Sequence, residues 1–130
     1  MASKLKIRVR TYECDSYGHV NNANYLNYLE YARYEFLKDI GFDYKAALLD
    51  GYGIYIARIE IDYKRSAHAD EEITVLTEPV KAGSVSGVVS QIITRGEDVL
   101  IESKVTWAFV NKDGTPARIP EKYSVQGLKP

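Results

Sequence analysis

Residues 22–41 read NANYLNYLEYARYEFLKDIG, and their pattern predicts one long helix. Apolar side chains recur at the three- and four-residue spacing of a helix face, and Gly41 stands where a helix commonly ends. The apolar face is unusually broad, so the helix should be enclosed by other elements over most of its surface. It consists of Tyr25, Leu29, Ala32, Phe36 and Ile40, flanked by Leu26, Tyr28 and Leu37.

Strand patterns lie on both sides of this helix. Residues 1–10 alternate apolar and basic side chains, and four β-prone runs follow at about 54–66, 72–82, 84–95 and 99–111. The turns between the last three runs are short, which predicts antiparallel hairpins. The apolar phase shifts between Ile56 and Ala57, so we expect a β-bulge there, or a strand start buried on both faces.

The predicted order is therefore one strand, one helix and four strands, in a single domain spanning residues 1–130. A sheet that curls around the helix would bury its broad apolar face, and this is the α+β architecture of the hotdog fold, with five antiparallel strands. One helix covers only part of such a sheet and leaves long edge strands open. We therefore expect a homodimer, or a homotetramer built from it.

The composition excludes several classes of protein. There are 17 basic and 18 acidic residues, giving a net charge of −1, which does not favour nucleic-acid binding. The chain has one cysteine, so a disulfide framework is ruled out. No segment approaches the roughly 18 apolar residues of a membrane span, and residues 1–10 lack a signal-peptide core. We expect a cytoplasmic protein.

The segment preceding the helix, DSYGHVNNANY at 15–25, is rich in polar residues. Asp15, Asn21 and Asn22 are all preferred helix-capping residues, and three exceed what one helix end needs. Since free N–H groups at a helix N-terminus stabilise negative charge, the Asn22 N–H is a candidate oxyanion donor. Asp15 is then a candidate nucleophile or general base for ester or thioester hydrolysis.

Other residues of this region allow more than one interpretation. Gly18 would let a substrate carbonyl approach the backbone, or it is an ordinary turn glycine. His19 could orient Asp15, bind substrate or hydrogen-bond across a subunit contact. Tyr25 and Tyr28 are more often core aromatics than substrate-binding groups. We predict no metal site, because Asp15 and His19 supply two ligands and His68 lies far away in the sequence.

Arg33 lies inside the apolar face of the predicted helix. It could pair with Glu30, three residues earlier, or reach the loop that precedes the helix. We expect the ion pair.

The pattern D-x-x-G-H-V-N-N, with a tyrosine three residues later and L-N-Y-L-E-Y-A-R after it, resembles the hotdog-fold acyl-CoA thioesterases. The subgroup that includes 4-hydroxybenzoyl-CoA thioesterase is the most similar. The resemblance implies that Asp15 is the catalytic carboxylate and that the Asn22 N–H polarises the thioester carbonyl. Gly18, His19 and Asn21 match the remaining positions of the motif.

The same resemblance implies a site assembled across a dimer, often within a tetramer. It implies no metal or redox cofactor, since coenzyme A is part of the substrate. The carrier of the acyl group is CoA, with acyl carrier protein as the alternative, and the sequence does not specify the acyl group. The catalytic candidates are therefore Asp15, Asn22 and His19, and the substrate-binding candidates are Gly18, Asn21, Tyr25 and Tyr28.

Two other functions fit a hotdog domain. One is an enoyl-thioester hydratase or dehydratase, whose usual Asp-x-Asn-Pro-x-His pattern this chain lacks. The other is a non-catalytic domain that binds acyl-CoA, and the presence of Asp15 disfavours it. The predicted function is thioester hydrolysis.

Overall fold

The computed structural model describes residues 2–130, which form a five-stranded sheet and one long helix. The strands are β1 (Ser3–Arg8), β2 (Gly53–Tyr63), β3 (Glu72–Ala82), β4 (Ser86–Arg95) and β5 (Asp98–Val110), and the helices are α1 (Asn22–Asp39) and α2 (Tyr44–Leu49). The predicted helix and all five predicted strands are confirmed, with bounds shifted by up to three residues. Among the described residues, no helix is long and apolar enough to cross a membrane.

All neighbouring strands are antiparallel, in the order β1-β3-β4-β5-β2. The hairpins β3–β4 and β4–β5 form the centre of the sheet, as the short turns predicted. The sheet and the enclosed helix together give the hotdog fold, which confirms the predicted fold class. β1 and β2 are its two edges, because each pairs with only one neighbour.

The broad apolar face of α1 is buried as predicted. The side chains of Tyr25, Tyr28, Leu29, Ala32 and Phe36 are all nearly inaccessible to solvent. Leu26 differs from the prediction and is partly exposed, since it lies at the margin of the face. Burial of these side chains against the sheet is the main reason that the helix is stable.

The core is divided into two apolar clusters. One surrounds the first half of α1 and includes Leu29, Ala32, Ile93 and Ile101, and the other surrounds its second half and includes Phe36, Val89, Val105 and Trp107. Between them a row of buried polar side chains crosses three strands: Thr77 pairs with Gln91, and Gln91 pairs with Ser103. We call these three residues the polar row.

The Gln91 side chain holds the polar row together. Its Nε2 donates hydrogen bonds to the Leu29 carbonyl (2.9 Å) and to Thr77 Oγ1 (3.0 Å). Ser103 Oγ donates to the main-chain carbonyl of Gln91 at 2.7 Å. Every one of these groups therefore has a partner, which is the condition under which buried polar groups are tolerated.

The predicted bulge in β2 is confirmed by a register shift between Ile56 and Arg58 in the pairing of β2 with β5. Ala57 is the extra residue, so the apolar side chains on either side of it can face the same side of the sheet.

The short helix α2 was not predicted from the sequence. Its N-cap is Asp43, whose side chain accepts a hydrogen bond from the Ala46 N–H at 3.0 Å. Six residues make fewer than two turns, which is too short for a helical period to stand out.

Candidate active site

The residues before α1 fold into a tight turn, residues 15–19, which we call the site turn. The Asp15 N–H donates to the His19 carbonyl at 2.8 Å, and the Gly18 N–H donates to the Asp15 carbonyl at 3.0 Å. Cys14 and Val20 face each other across its base in an isolated β-bridge. Gly18 has φ of +79°, a left-handed conformation that glycine adopts without strain. The turn therefore returns the chain to the start of α1.

The Asp15 carboxylate is oriented by the turn that it belongs to. Its Oδ1 accepts hydrogen bonds from the Tyr17 N–H (2.9 Å) and from the His19 N–H (3.3 Å). No hydrogen bond to Oδ2 is formed by any residue between 2 and 130. One oxygen thus fixes the carboxylate, and the other is available to a water molecule or a substrate.

Asn21 is the N-cap of α1, and its side-chain oxygen accepts a hydrogen bond from the Ala23 N–H at 2.9 Å. Asn22 is the first helical residue and is exposed. An N–H at this position has no intrahelical acceptor and lies at the positive end of the helix dipole. The structure therefore assigns the cap to Asn21, and Asn22 begins the helix. The catalytic role of Asn22 stays a prediction.

His19 is next to His68, which the sequence analysis had set aside as too distant. The two residues form an isolated β-bridge, and their rings meet edge to face with centroids 4.8 Å apart. His68 Nδ1 lies 3.2 Å from Glu71 Oε1, and that oxygen also accepts a hydrogen bond from Arg95 Nη1 at 2.9 Å. The connection between β2 and β3 therefore packs against the site turn through His68. No sequence signal marks it, because the contact is formed only by folding.

Within residues 2–130, no cluster of three or more histidine, cysteine, aspartate or glutamate side chains is arranged to hold a metal ion. The predicted absence of a metal and of a redox cofactor stays a prediction.

Tyr25 and Tyr28 are buried, and each hydroxyl has a partner inside the protein. Tyr25 Oη accepts a hydrogen bond from the Ala67 N–H at 2.9 Å, and Tyr28 Oη donates to Glu13 Oε1 at 2.9 Å. Burial raises the pKa of both phenols, and the Glu13 carboxylate raises that of Tyr28 further. Both residues therefore support the site from the core. Their predicted contact with substrate stays a prediction.

Glu13 is a buried carboxylate that the sequence analysis missed. Its Oε1 also accepts a hydrogen bond from the Arg10 N–H at 2.7 Å, and its main-chain carbonyl accepts from the Asn24 side chain at 2.8 Å. Asn24 lies in the first turn of α1, so Glu13 ties the segment before the site turn to the start of the helix.

The predicted ion pair between Arg33 and Glu30 is wrong. Arg33 Nη1 instead donates to Gln91 Oε1 at 2.9 Å, and no carboxylate within the described part of the chain lies within 4 Å of the guanidinium. Arg33 points toward the sheet and contacts Gln91 of the polar row, whereas Glu30 is exposed. A spacing of three residues allows an ion pair on a helix surface but does not enforce one.

An apolar cavity of about 160 Å³ lies beside the second half of α1. Its apolar wall is formed by Phe36, Leu37, Ile54, Ile56, Val89, Trp107 and Leu128, and Glu30, Arg33, Tyr34 and Tyr44 also line it. None of the residues from 15 to 25 contributes to it.

Comparisons with known proteins show the family of the chain. The thioesterase-like superfamily profile matches residues 9–126. The long-chain acyl-CoA thioesterase FadM of Escherichia coli is 36% identical over 111 residues, which are 83% of each chain. The acyl-acyl carrier protein thioesterase ATL2 of Arabidopsis thaliana is 27% identical, and the match covers 90% of this chain and 63% of ATL2.

Among solved structures, a probable thioesterase from Bartonella henselae superposes with a TM-score of 0.87 at 29% identity. The superposition covers 92% of this chain and 100% of the other. The chain therefore belongs to the thioesterase-like superfamily and is a thioester hydrolase with the hotdog fold.

Proposed function

We propose that the protein hydrolyses acyl-CoA to CoA and a free carboxylic acid, with Asp15 as the reacting carboxylate and the Asn22 N–H as the oxyanion donor. The observation that carries the proposal is the site turn, which holds the Asp15 carboxylate through two main-chain N–H groups immediately before the N-terminus of α1. A thioester carbonyl placed at Asn22 would then lie near a fixed carboxylate.

Two routes of hydrolysis use this arrangement. As a nucleophile, Asp15 Oδ2 attacks the thioester carbon, the C–S bond breaks, and CoA leaves as a thiolate. Water then hydrolyses the resulting anhydride and restores the carboxylate. As a general base, Asp15 takes a proton from a water molecule while the water oxygen attacks, and the proton passes to the departing thiolate.

The tetrahedral intermediate of either route carries a negative oxygen. A main-chain N–H at the start of an 18-residue helix is fixed before the reaction and needs no rearrangement to donate to that oxygen. His19 and Gly18 are part of the site turn and position Asp15 through their main-chain groups. Neither route uses a metal or a redox cofactor.

The proposed carrier is CoA, because FadM is by name an acyl-CoA thioesterase and matches this chain over 83% of its length. An acyl carrier protein thioester is the second candidate, and the name of ATL2 favours it. A cytoplasmic location is part of the proposal.

We propose that the protein is a homodimer paired through the edge of β2. That edge is long, with 11 residues, and carries exposed aromatic side chains, with Tyr55 and Tyr63 exposed by 55% and 48%. Open edges of this kind invite pairing with another strand. Light scattering should give twice the mass of the chain, or four times that mass for a tetramer, and the mass of one chain would contradict the proposal.

The experiment that tests the activity is a thiol-release assay on short-chain, long-chain and aromatic acyl-CoAs. Steady release of CoA from at least one of them is expected. A crotonyl-CoA absorbance assay run in parallel detects hydration of the double bond. Hydration without thiol release, or tight acyl-CoA binding without either reaction, would overturn the proposal in favour of a hydratase or of a binding domain.

A further inference from the structure

The cavity beside the second half of α1 combines an apolar wall with a single cationic side chain. Seven apolar residues form the wall, and the guanidinium of Arg33 and the carboxylate of Glu30 line the cavity beside them. The cavity's volume, about 160 Å³, is close to that of engineered apolar cavities that hold benzene, so it accepts an apolar group of about six carbons.

The charge of Arg33 is poorly compensated. Its guanidinium has five N–H donors, and the one hydrogen bond it makes within residues 2–130 is that from Nη1 to Gln91 Oε1, an uncharged acceptor. Burial lowers the pKa of the guanidinium, and the negative charge of Glu30 opposes that shift only in part. A cation on an apolar wall favours an anionic oxygen ligand.

Gln91 cannot turn away to release Arg33 without breaking two other bonds. Its side chain is fully buried and donates to both the Leu29 carbonyl and Thr77 Oγ1. The polar row thus holds the guanidinium at one end of the apolar wall. A ligand that brought a hydrogen-bond acceptor into the cavity would find the Arg33 guanidinium already positioned to donate to it.

We propose that this cavity is a second ligand site, which binds a carboxylate with an apolar body, the carboxylate on Arg33 and the body against Phe36, Val89 and Trp107. Carboxylate and guanidinium are complementary in charge and in planar geometry. The β2 pairing proposed above uses the main-chain edge of that strand, so it does not require the inner side, where Ile54 and Ile56 line the cavity.

Two sources supply such a carboxylate, and naming them rests on the proposed function. One is the free acid released by hydrolysis. The other is an acyl group that carries a second carboxylate at its far end. Asn22 and Arg33 are eleven residues apart, or roughly 16 Å along α1, so only a long acyl chain bound at Asn22 would reach Arg33.

Trp107 is the only tryptophan of the chain and lines the cavity, so its fluorescence reports occupancy without any turnover. The test is titration with hexanoate and with 1-hexanol, which share an apolar body and differ in the carboxylate. Hexanoate should bind at least about 10-fold more tightly than hexanol, as expected for a hydrogen-bonded charge. Equal affinities, or no fluorescence change with either compound, would overturn the proposal.

Variants of Arg33 test whether its charge causes the preference for hexanoate over hexanol. Arg33→Gln, which can still donate to Gln91, and Arg33→Met should bind hexanoate and hexanol equally. Arg118→Met removes an exposed arginine and should behave as the parent. Circular dichroism checks each fold, and if Arg33→Met does not fold, Arg33→Gln decides. A preference for hexanoate over hexanol in folded Arg33→Gln would contradict the proposal that Arg33 binds the carboxylate.

A thiol-release assay then shows whether the carboxylate comes from the free acid or from the far end of the acyl group. If the parent hydrolyses dodecanedioyl-CoA with a higher kcat/KM than dodecanoyl-CoA, and Arg33→Gln does not, the ligand is the far end of the acyl group. If the preference in fluorescence stands without such a difference, the ligand is the free acid. Absence of hydrolysis with both thioesters would count against the proposed function and leave the fluorescence result intact.

Discussion

Tyr28 and Glu13 form a hydrogen bond of 2.9 Å between two buried side chains, one on α1 and the other in the segment before the site turn. The carboxylate accepts from the phenol and from the Arg10 N–H through the same oxygen. A buried carboxylate that loses a donor keeps its desolvation cost without the compensating bond. The pair therefore joins the stability of the fold to the position of the site turn.

Tyr28→Phe should lower the free energy of unfolding by about 1–3 kcal/mol, because it removes one donor from a buried carboxylate. Urea denaturation measures the change. Tyr31→Phe is the matched control, since Tyr31 is exposed on the same helix and should change stability little. Equal losses in the two variants would contradict the role given to the pair.

The same bond predicts how stability responds to alkaline pH. Burial and Glu13 raise the pKa of Tyr28 in the folded state, so the folded protein holds this proton more tightly than the unfolded chain. The contribution is complete below the pKa of an unfolded tyrosine, about 10, and is lost as pH rises above it. Denaturation midpoints should fall less steeply above pH 10 in Tyr28→Phe than in the parent. Parallel slopes would show that Tyr28 titrates normally.

Asp15→Asn should reduce turnover by about 10²-fold or more with the fold intact, because an amide neither attacks a thioester nor accepts the proton of water. Thiol release under saturating acyl-CoA measures kcat. Glu78→Gln, which neutralises an exposed carboxylate of β3, is the control and should retain activity. Parent-like turnover by Asp15→Asn would exclude both proposed routes.

Two substitutions of Asn21 distinguish the effect of its capping hydrogen bond on stability from the effect of charge at the N-terminus of α1 on catalysis. Asn21→Ala should cost about 1 kcal/mol of stability, since the Ala23 N–H loses its acceptor. Asn21→Asp keeps the acceptor and should keep the stability, but its negative charge next to Asn22 should disfavour an oxyanion there and lower kcat. Thermal unfolding and thiol release on both variants check the two effects. Unchanged kcat in Asn21→Asp would argue against the oxyanion position.

Gly18 should tolerate asparagine better than alanine. Its φ is +79°, and a Cβ atom built at this position meets no atom within 4 Å, so the cost of a side chain is conformational. Gly18→Ala should lose roughly 1–2 kcal/mol of stability, and Gly18→Asn should lose less. Denaturant titration of the two variants is sufficient. A larger loss in Gly18→Asn would mean that the side chain clashes.

The sequence patterns predicted α1, the five strands and the bulge because each depends on local periodicity. The long apolar face of α1 left one favourable arrangement with an antiparallel sheet. The six residues of α2 lie below the length at which a period is visible. The site turn was predicted as a loop with Asp15 in it, since capping residues act on their own neighbours.

The contacts that were missed are formed between distant segments. His68 reaches His19 through the β2–β3 connection, and Gln91 reaches Arg33 from the centre of the sheet. Nothing near Arg33 in the sequence indicates an acceptor on β4, so the local Glu30 was the natural expectation. Strand order and register determine such pairs, and neither follows from the pattern of a single strand.

The polar row has a consequence for how the protein can diversify. It separates the apolar residues packed around the first half of α1 from those around its second half, so a change of side-chain volume at Val89 or Phe36 falls on one side of it. The size and shape of the cavity can therefore change through a few substitutions while the residues around Asp15 keep their packing.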